Sequence, residues 1–197
     1  MMLTEETLVP DTALPVDGLK RHLRMGSGFA EDDVQDAVLT GFLRAAMAVI
    51  EGRTAKTLLA RDFLLSVSRW AAPDAQPLGT APVQTLGSVT LIDRHGTSSL
   101  VAPTAYRLER DAQVPRLRSI ASCLPGIPAG GSAEVRFTAG YVAEFGDLPA
   151  DLAQAVLLLA AHYYEYRDET ALGEGCMPFG VTALLARYRP VRIGFGA

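Results

Sequence analysis

PADLAQAVLLLAAHYYEYRDE, residues 149–169, is the stretch whose reading decides the fold. Pro149 suits a first helical turn, where its missing N–H would have no partner. Asp147 and Asp151 place negative charge at the positive end of the helix dipole. Ala155–Ala161 then reads AVLLLAA, apolar on every side, so the helix is expected to be walled in by other elements. The run is too short to cross a bilayer, which takes about 20 apolar residues. A polar stripe begins only at His162 and continues through Glu165, Arg167 and Asp168. This is the pattern of the central helix of a soluble domain.

The surroundings fit that reading. A chain of 197 residues falls within the size of one domain and buries roughly 70% of its unfolded surface without needing a staple. The net charge of −4 speaks against a dedicated nucleic-acid binder, which carries a basic patch or stripe. Of the 18 basic residues only Lys20 and Lys56 are lysines. Arginine enrichment suits interfaces, and a GC-rich genome would produce the same skew. Cys123 and Cys176 stand alone with no paired spacing, which points to a reducing compartment. The acidic start MMLTEETLVPDTALP lacks the apolar core of a signal peptide.

Outward from the central helix, the chain changes period twice. Residues 1–14 are polar, interrupted by proline, and read as a flexible arm. A short helix follows over 15–25, with Leu19 and Leu23 spaced i, i+4, and Gly26-Ser27-Gly28 breaks it. Glu31, Asp32 and Asp33 open a longer helix from its favourable end. Val34, Val38, Phe42 and Val49, with Leu39, Leu43, Ala46, Met47 and Ile50, form its broad apolar stripe, and Gly52 is the expected stop.

After Thr57 the period becomes 2. DFLLSVSRW (62–70) alternates, and 71–82 is a Pro-rich connection without pattern. Residues 88–93 and 98–101 read as a hairpin about Arg94-His95-Gly96-Thr97. Shorter strand candidates lie at 106–109 and 116–120. A loop covers 122–131, and AEVRFTA (133–139) alternates again. Beyond the central helix, VTALLARY (181–188) makes a last helix, halted by Pro190. The expected class is therefore α+β: a helical bundle from both chain ends with a small antiparallel β section, about 61–140, inserted. Residues 15–188 form a single domain in this reading, and 189–197 a C-terminal tail.

Chemistry is hard to find. His162 and Glu165 share a helix face at i, i+3, but the di-iron pattern is Glu-x-x-His and needs a second copy plus further carboxylates. A small metal-dependent enzyme built on these two residues is the alternative this face leaves, and a structural pair is the plainer one. Ser27 lacks the G-x-S-x-G context of a nucleophile, neither lysine completes a P-loop, and the acidic run 31–36 lacks the EF-hand spacing. No cofactor is implied.

The C-terminus, RYRPVRIGFGA, sets Arg187, Arg189 and Arg192 beside Tyr188 and Phe195, with Pro190 stiffening the exit and Val191 and Ile193 between. Two readings stand: a frayed, solvated end, or an interface segment of the arginine-and-aromatic kind that orders on a partner. The same arginines also permit a DNA-binding module.

Taken in order, these stretches resemble the head–tail connector, or adaptor, proteins of long-tailed phages and gene transfer agents. The resemblance is carried by GLKRHLRM (18–25), EDDV (31–34), AVIEGRT (48–54), DFLLSVSRW (62–70) and APVQTLGSVTLID (81–93). It continues in TAYRLE (104–109), VRFTAGY (135–141), the helix from Leu148 and VTALLARYRP (181–190). It implies a structural protein without catalysis, found at the head–tail junction of a particle assembled in a bacterial cytoplasm. It further implies a dodecameric ring of identical copies under the portal protein, with a tail-side connector or stopper below and DNA passing through unread. In such adaptors the C-terminal segment reaches into the portal. That role maps here onto Arg187, Tyr188, Arg189, Pro190, Val191, Arg192, Ile193 and Phe195.

Overall fold

Ser132–Ala139 (β8) alternates without a fault: Ala133, Val135, Phe137 and Ala139 are buried and the residues between them partly exposed. The period of a pleated strand puts those four on one face, and two other strands pair with it. The computed structural model describes residues 1–25, 33–167 and 177–189.

The class is α+β. In order the elements are β1 (Met2–Glu5), α1 (Val16–His22), α2 (Asp33–Thr54), β2 (Arg61–Val67), β3 (Ala75–Pro77) and β4 (Val83–Ile92). Then come β5 (Ser98–Leu100), β6 (Tyr106–Glu109), β7 (Arg116–Ser119), β8, α3 (Ala150–Glu165) and α4 (Phe179–Leu185). The chain divides into two compact units. One is Met1–Leu8 with Leu59–Ala143, and the other is Val9–Leu58 with the described residues from Glu144 onward.

The β unit holds a five-stranded antiparallel sheet, order β1-β2-β8-β4-β5, and a three-stranded one, β3-β7-β6. Phe63, Leu65 and Val67 of β2 line the core side, and the Phe63 and Phe137 rings stack 5.7 Å apart. Leu117 of β7 and Tyr106 of β6 belong to the same apolar cluster, so the two sheets share one core. The hairpin expected at 94–97 is present. Asp93 accepts backbone N–H bonds from His95 and Thr97 at 2.8 Å each, and Gly96 takes the left-handed φ of +83° that the turn needs. At the far end of β8, Gly140 has φ +142°, and a Cβ there would lie 2.4 Å from Ala60 Cα. Only glycine lets the chain pass so close.

Two stretches differ from the sequence reading. Residues 2–5 are not loose but form the edge strand β1, with Leu3 opposite Leu65 in register. Ion pairs of Glu5 with Arg61 (2.8 Å) and Glu6 with Arg136 (3.0 Å) hold it there. The Pro-rich connection 71–82 contains β3, which pairs with β7; Pro77 sits at the sheet edge, where its missing N–H costs least.

In the helical unit α3 packs against α2, α4 and α1. Leu152, Ala155, Val156, Leu159, Ala160 and Ala161 are buried, while Leu157 and Leu158 are only partly so. The covered surface is thus wide without being complete. Pro149 stands just before the first turn, at the N-cap. Leu39, Leu43, Ala46, Met47 and Ile50 of the expected α2 stripe are buried, Phe42 and Val49 are half-buried, and Val38 is exposed because it stands on the far side of the helix. The helix runs through Gly52 and ends at Thr54, because Ala55, with φ +53°, provides the left-handed stop. Lys20 pairs with Asp36, and the Phe42 ring meets that of Tyr164 edge-on at 6.1 Å.

Candidate docking site at the C-terminal exit

The last helix begins after Pro178, earlier than its sequence signal, and buries Val181 and Leu185, spaced i, i+4. It then tightens into a 3-10 turn, Ala186–Tyr188. That turn presents Arg187 and Tyr188 to the N-terminus of α3. The Tyr188 hydroxyl donates to Asp151 Oδ1 at 2.8 Å, and Arg187 Nε lies 2.8 Å from Asp151 Oδ2. The Arg187 guanidinium covers the Tyr188 ring, 4.7 Å from its centroid. One carboxylate therefore holds both residues, and the exit of the chain is clasped to α3.

Of the eight residues assigned to a partner surface, the structure brings together Arg187 and Tyr188 and leaves Arg189 exposed. It turns Tyr188 inward, with 8% of its surface exposed, so its visible part is to fix the exit point. Pro190, Val191, Arg192, Ile193 and Phe195 lie outside the described residues. The sequence reading missed Asp151 as the anchor, giving it only a helix-dipole role. No local signal could have linked it to a tyrosine 37 positions away.

Burial holds the Tyr188 phenol above its ordinary pKa of 10; the Arg187 guanidinium pulls the other way, and the bond to Asp151 adds to the rise. The neighbouring phenol oxygen, and then Asp151, raise that of Arg187. A phenol whose folded pKa is raised contributes stability in full below about 10, and that contribution fades as pH climbs through the folded value. Melting temperature should therefore fall more steeply above about pH 10 in the natural protein than in Tyr188→Phe. Equal slopes for the two proteins would show that the clasp does not feel the phenol's charge.

His162 and Glu165 do not converge on a site. The His162 ring packs 4.6 Å from that of Tyr166, its Nε2 is enclosed without a hydrogen-bond partner, and Glu165 is exposed. His95 is bonded to Arg94 in the hairpin turn, and His22 ends α1. Among the described residues no three His, Cys, Asp or Glu side chains gather as a metal set would. Cys123 is an exposed free thiol, and Cys176 lies outside the described residues.

No protein-family model and no curated protein matches this chain. Solved structures do. A chain in the neck of an empty gene transfer agent (GTA) particle, computed with C6 symmetry, is 49% identical with a TM-score of 0.90. A chain in the virion of a native GTA particle is 49% identical with a TM-score of 0.87. A third, in the neck of a native GTA particle computed with C12 symmetry, is 47% identical with a TM-score of 0.85. Each match covers 100% of this chain and 99% of the other. Identity at that level along the whole length, over the same antiparallel β and helical units, leaves one conclusion: this chain belongs to the head–tail connector (adaptor) family of gene transfer agents, a structural component of the particle neck and not an enzyme.

Proposed function

We propose that the chain assembles as a dodecameric ring seated on the portal protein of a phage-like particle, linking head to tail and surrounding the DNA exit channel. The observation that carries this reading is the full-length likeness to a chain in a neck computed with C12 symmetry. Helices from both chain ends act as one bundle in this role. Residues 189–197 are the tail that reaches into the portal, starting from the point that Asp151 fixes through Tyr188 and Arg187. A tail-side connector or stopper docks on the opposite rim. DNA passes through without sequence readout, in keeping with a net charge of −4. No described helix is long and apolar enough to cross a membrane.

A subunit that closes into a ring only on its partner has to keep its contact surfaces soluble beforehand. The isolated protein is therefore expected to be a monomer or weak oligomer at micromolar concentration. Mixed with purified portal assemblies, it should form a portal-bound ring of twelve copies, visible by mass measurement and electron microscopy. A ring stable at nanomolar dilution without portal would overturn assembly on the portal. Failure to associate with portal under any condition would overturn the adaptor reading itself.

A further inference from the structure

The outer face of α2 has the wrong chemistry for water. Opposite the buried Leu39, Leu43 and Ile50, the helix presents Val38, Gly41, Ala45, Ala48 and Gly52, with Val49 at the margin. Over about four turns that face carries no charged or polar side chain. Arg44 stands at its flank, bonded to the Val9 carbonyl and paired with Asp11. A helix at a protein surface normally shows charge on its solvent side, and one apolar all round is normally covered. Val38 is 44% exposed, and nothing lies within 4 Å of where a Cβ would stand at Gly41 or Gly52. Glycine is the weakest helix former apart from proline. Two of them on an open face gain nothing within the single chain and keep a shallow channel clear.

The same unit offers an apolar side chain to fill such a channel. α2 and α4 each pack on α3 and have no comparable packing on each other. At the start of α4, Phe179 is 86% exposed, more than any other large apolar residue described. A cyclic assembly of identical chains joins one surface of each copy to a different surface of the next. We propose that the outer face of α2 is one side of the ring interface and receives Phe179 of the neighbouring copy. This rests on the ring reading above, and the likeness to chains in necks computed with C6 and C12 symmetry favours a second copy as the occupant. Small residues let that copy come close, and the absence of charge means that no ion pair has to be desolvated on contact.

The test uses the full chain in particle-producing cells. Ala48→Glu puts a carboxylate on the proposed contact but on the solvent side of the free monomer. Its melting temperature should match the natural protein, while its recovery in necks falls at least about 100-fold, since each of the repeated contacts is hit. For geometry, Ala45→Cys and Phe179→Cys are combined in a Cys123→Ser, Cys176→Ser background. Oxidised necks should then give a ladder of covalent multimers, and either new cysteine alone should give none. The ladder also decides the matter should Ala48→Glu fail to fold. Normal incorporation of a folded Ala48→Glu chain would overturn the proposal. So would dimers from Ala45→Cys alone, which mean a two-fold contact, or capture of the portal or a tail-side protein by that thiol. Absence of the natural chain from necks would instead defeat the ring reading, a separate result.

Discussion

Leu159→Asp is expected to yield a protein whose helical unit does not fold. Leu159 is 1% exposed on the side of α3 that other helices cover. The change forfeits the burial of a large aliphatic side chain, about 1.5–3 kcal/mol, and puts a carboxylate where an apolar side chain was enclosed. Together these pass the roughly 4–5 kcal/mol that marks an exceptional single substitution, against a typical domain stability of about 5–15 kcal/mol. Far-ultraviolet circular dichroism should show lost helix, and the chain should be aggregated or degraded on expression. Leu157→Asp serves as the control: Leu157 is only partly buried, so its carboxylate can reach water and the loss should be smaller. A soluble Leu159→Asp protein with an unchanged melting temperature would show that α3 is not the centre of its unit.

Deleting residues 190–197 is expected to do the opposite, leaving the fold and removing the function. The truncated chain keeps Arg187 and Tyr188 on Asp151, so α4 stays clasped to α3 and the melting temperature should move by no more than about 2 °C. The lost segment carries Val191, Arg192, Ile193 and Phe195. Burying Phe195 on a partner would contribute about 1.5–3 kcal/mol, and a charge-assisted bond from Arg192 about 1.5–3 kcal/mol at best. Such contacts are weak singly, but around a ring they act together through avidity. Cells making only the truncated chain should accumulate heads without tails, and the purified protein should no longer co-sediment with portal. Undiminished portal binding would move the docking surface off the tail and onto the helices or the β unit.

These expectations draw unequally on sequence and structure. The α+β class was legible because the two periods that define it are local. VRFT in β8 and FLLSV in β2 alternate at period 2, and each strand buries one face completely and the other in part. The AVLLLAA run marked α3 because a helix that apolar has to be enclosed, and α2 showed its inner stripe for the same reason. Family membership was legible too, since it resides in the order and spacing of many short stretches, none telling alone.

What the sequence could not decide depends on pairing at a distance. Residues 2–5 and 75–77 are too short to show a period, and they are strands only because β2 and β7 stand where they can pair with them. Gly52 looked like the end of α2, but the helix stops where the chain must turn away, and Ala55 accepts the left-handed conformation that this requires. Asp151 looked like a dipole-matching charge until the fold brought Tyr188 and Arg187 onto it. The open apolar face of α2 was hidden by the helix's own periodicity: a one-dimensional pattern shows that an apolar stripe is broad, but not which part of it the rest of the chain leaves uncovered. Local rules set the elements because their interactions lie within a few residues. Caps, edge strands and the uncovered face belong to tertiary structure, because each depends on contacts between residues far apart in the chain.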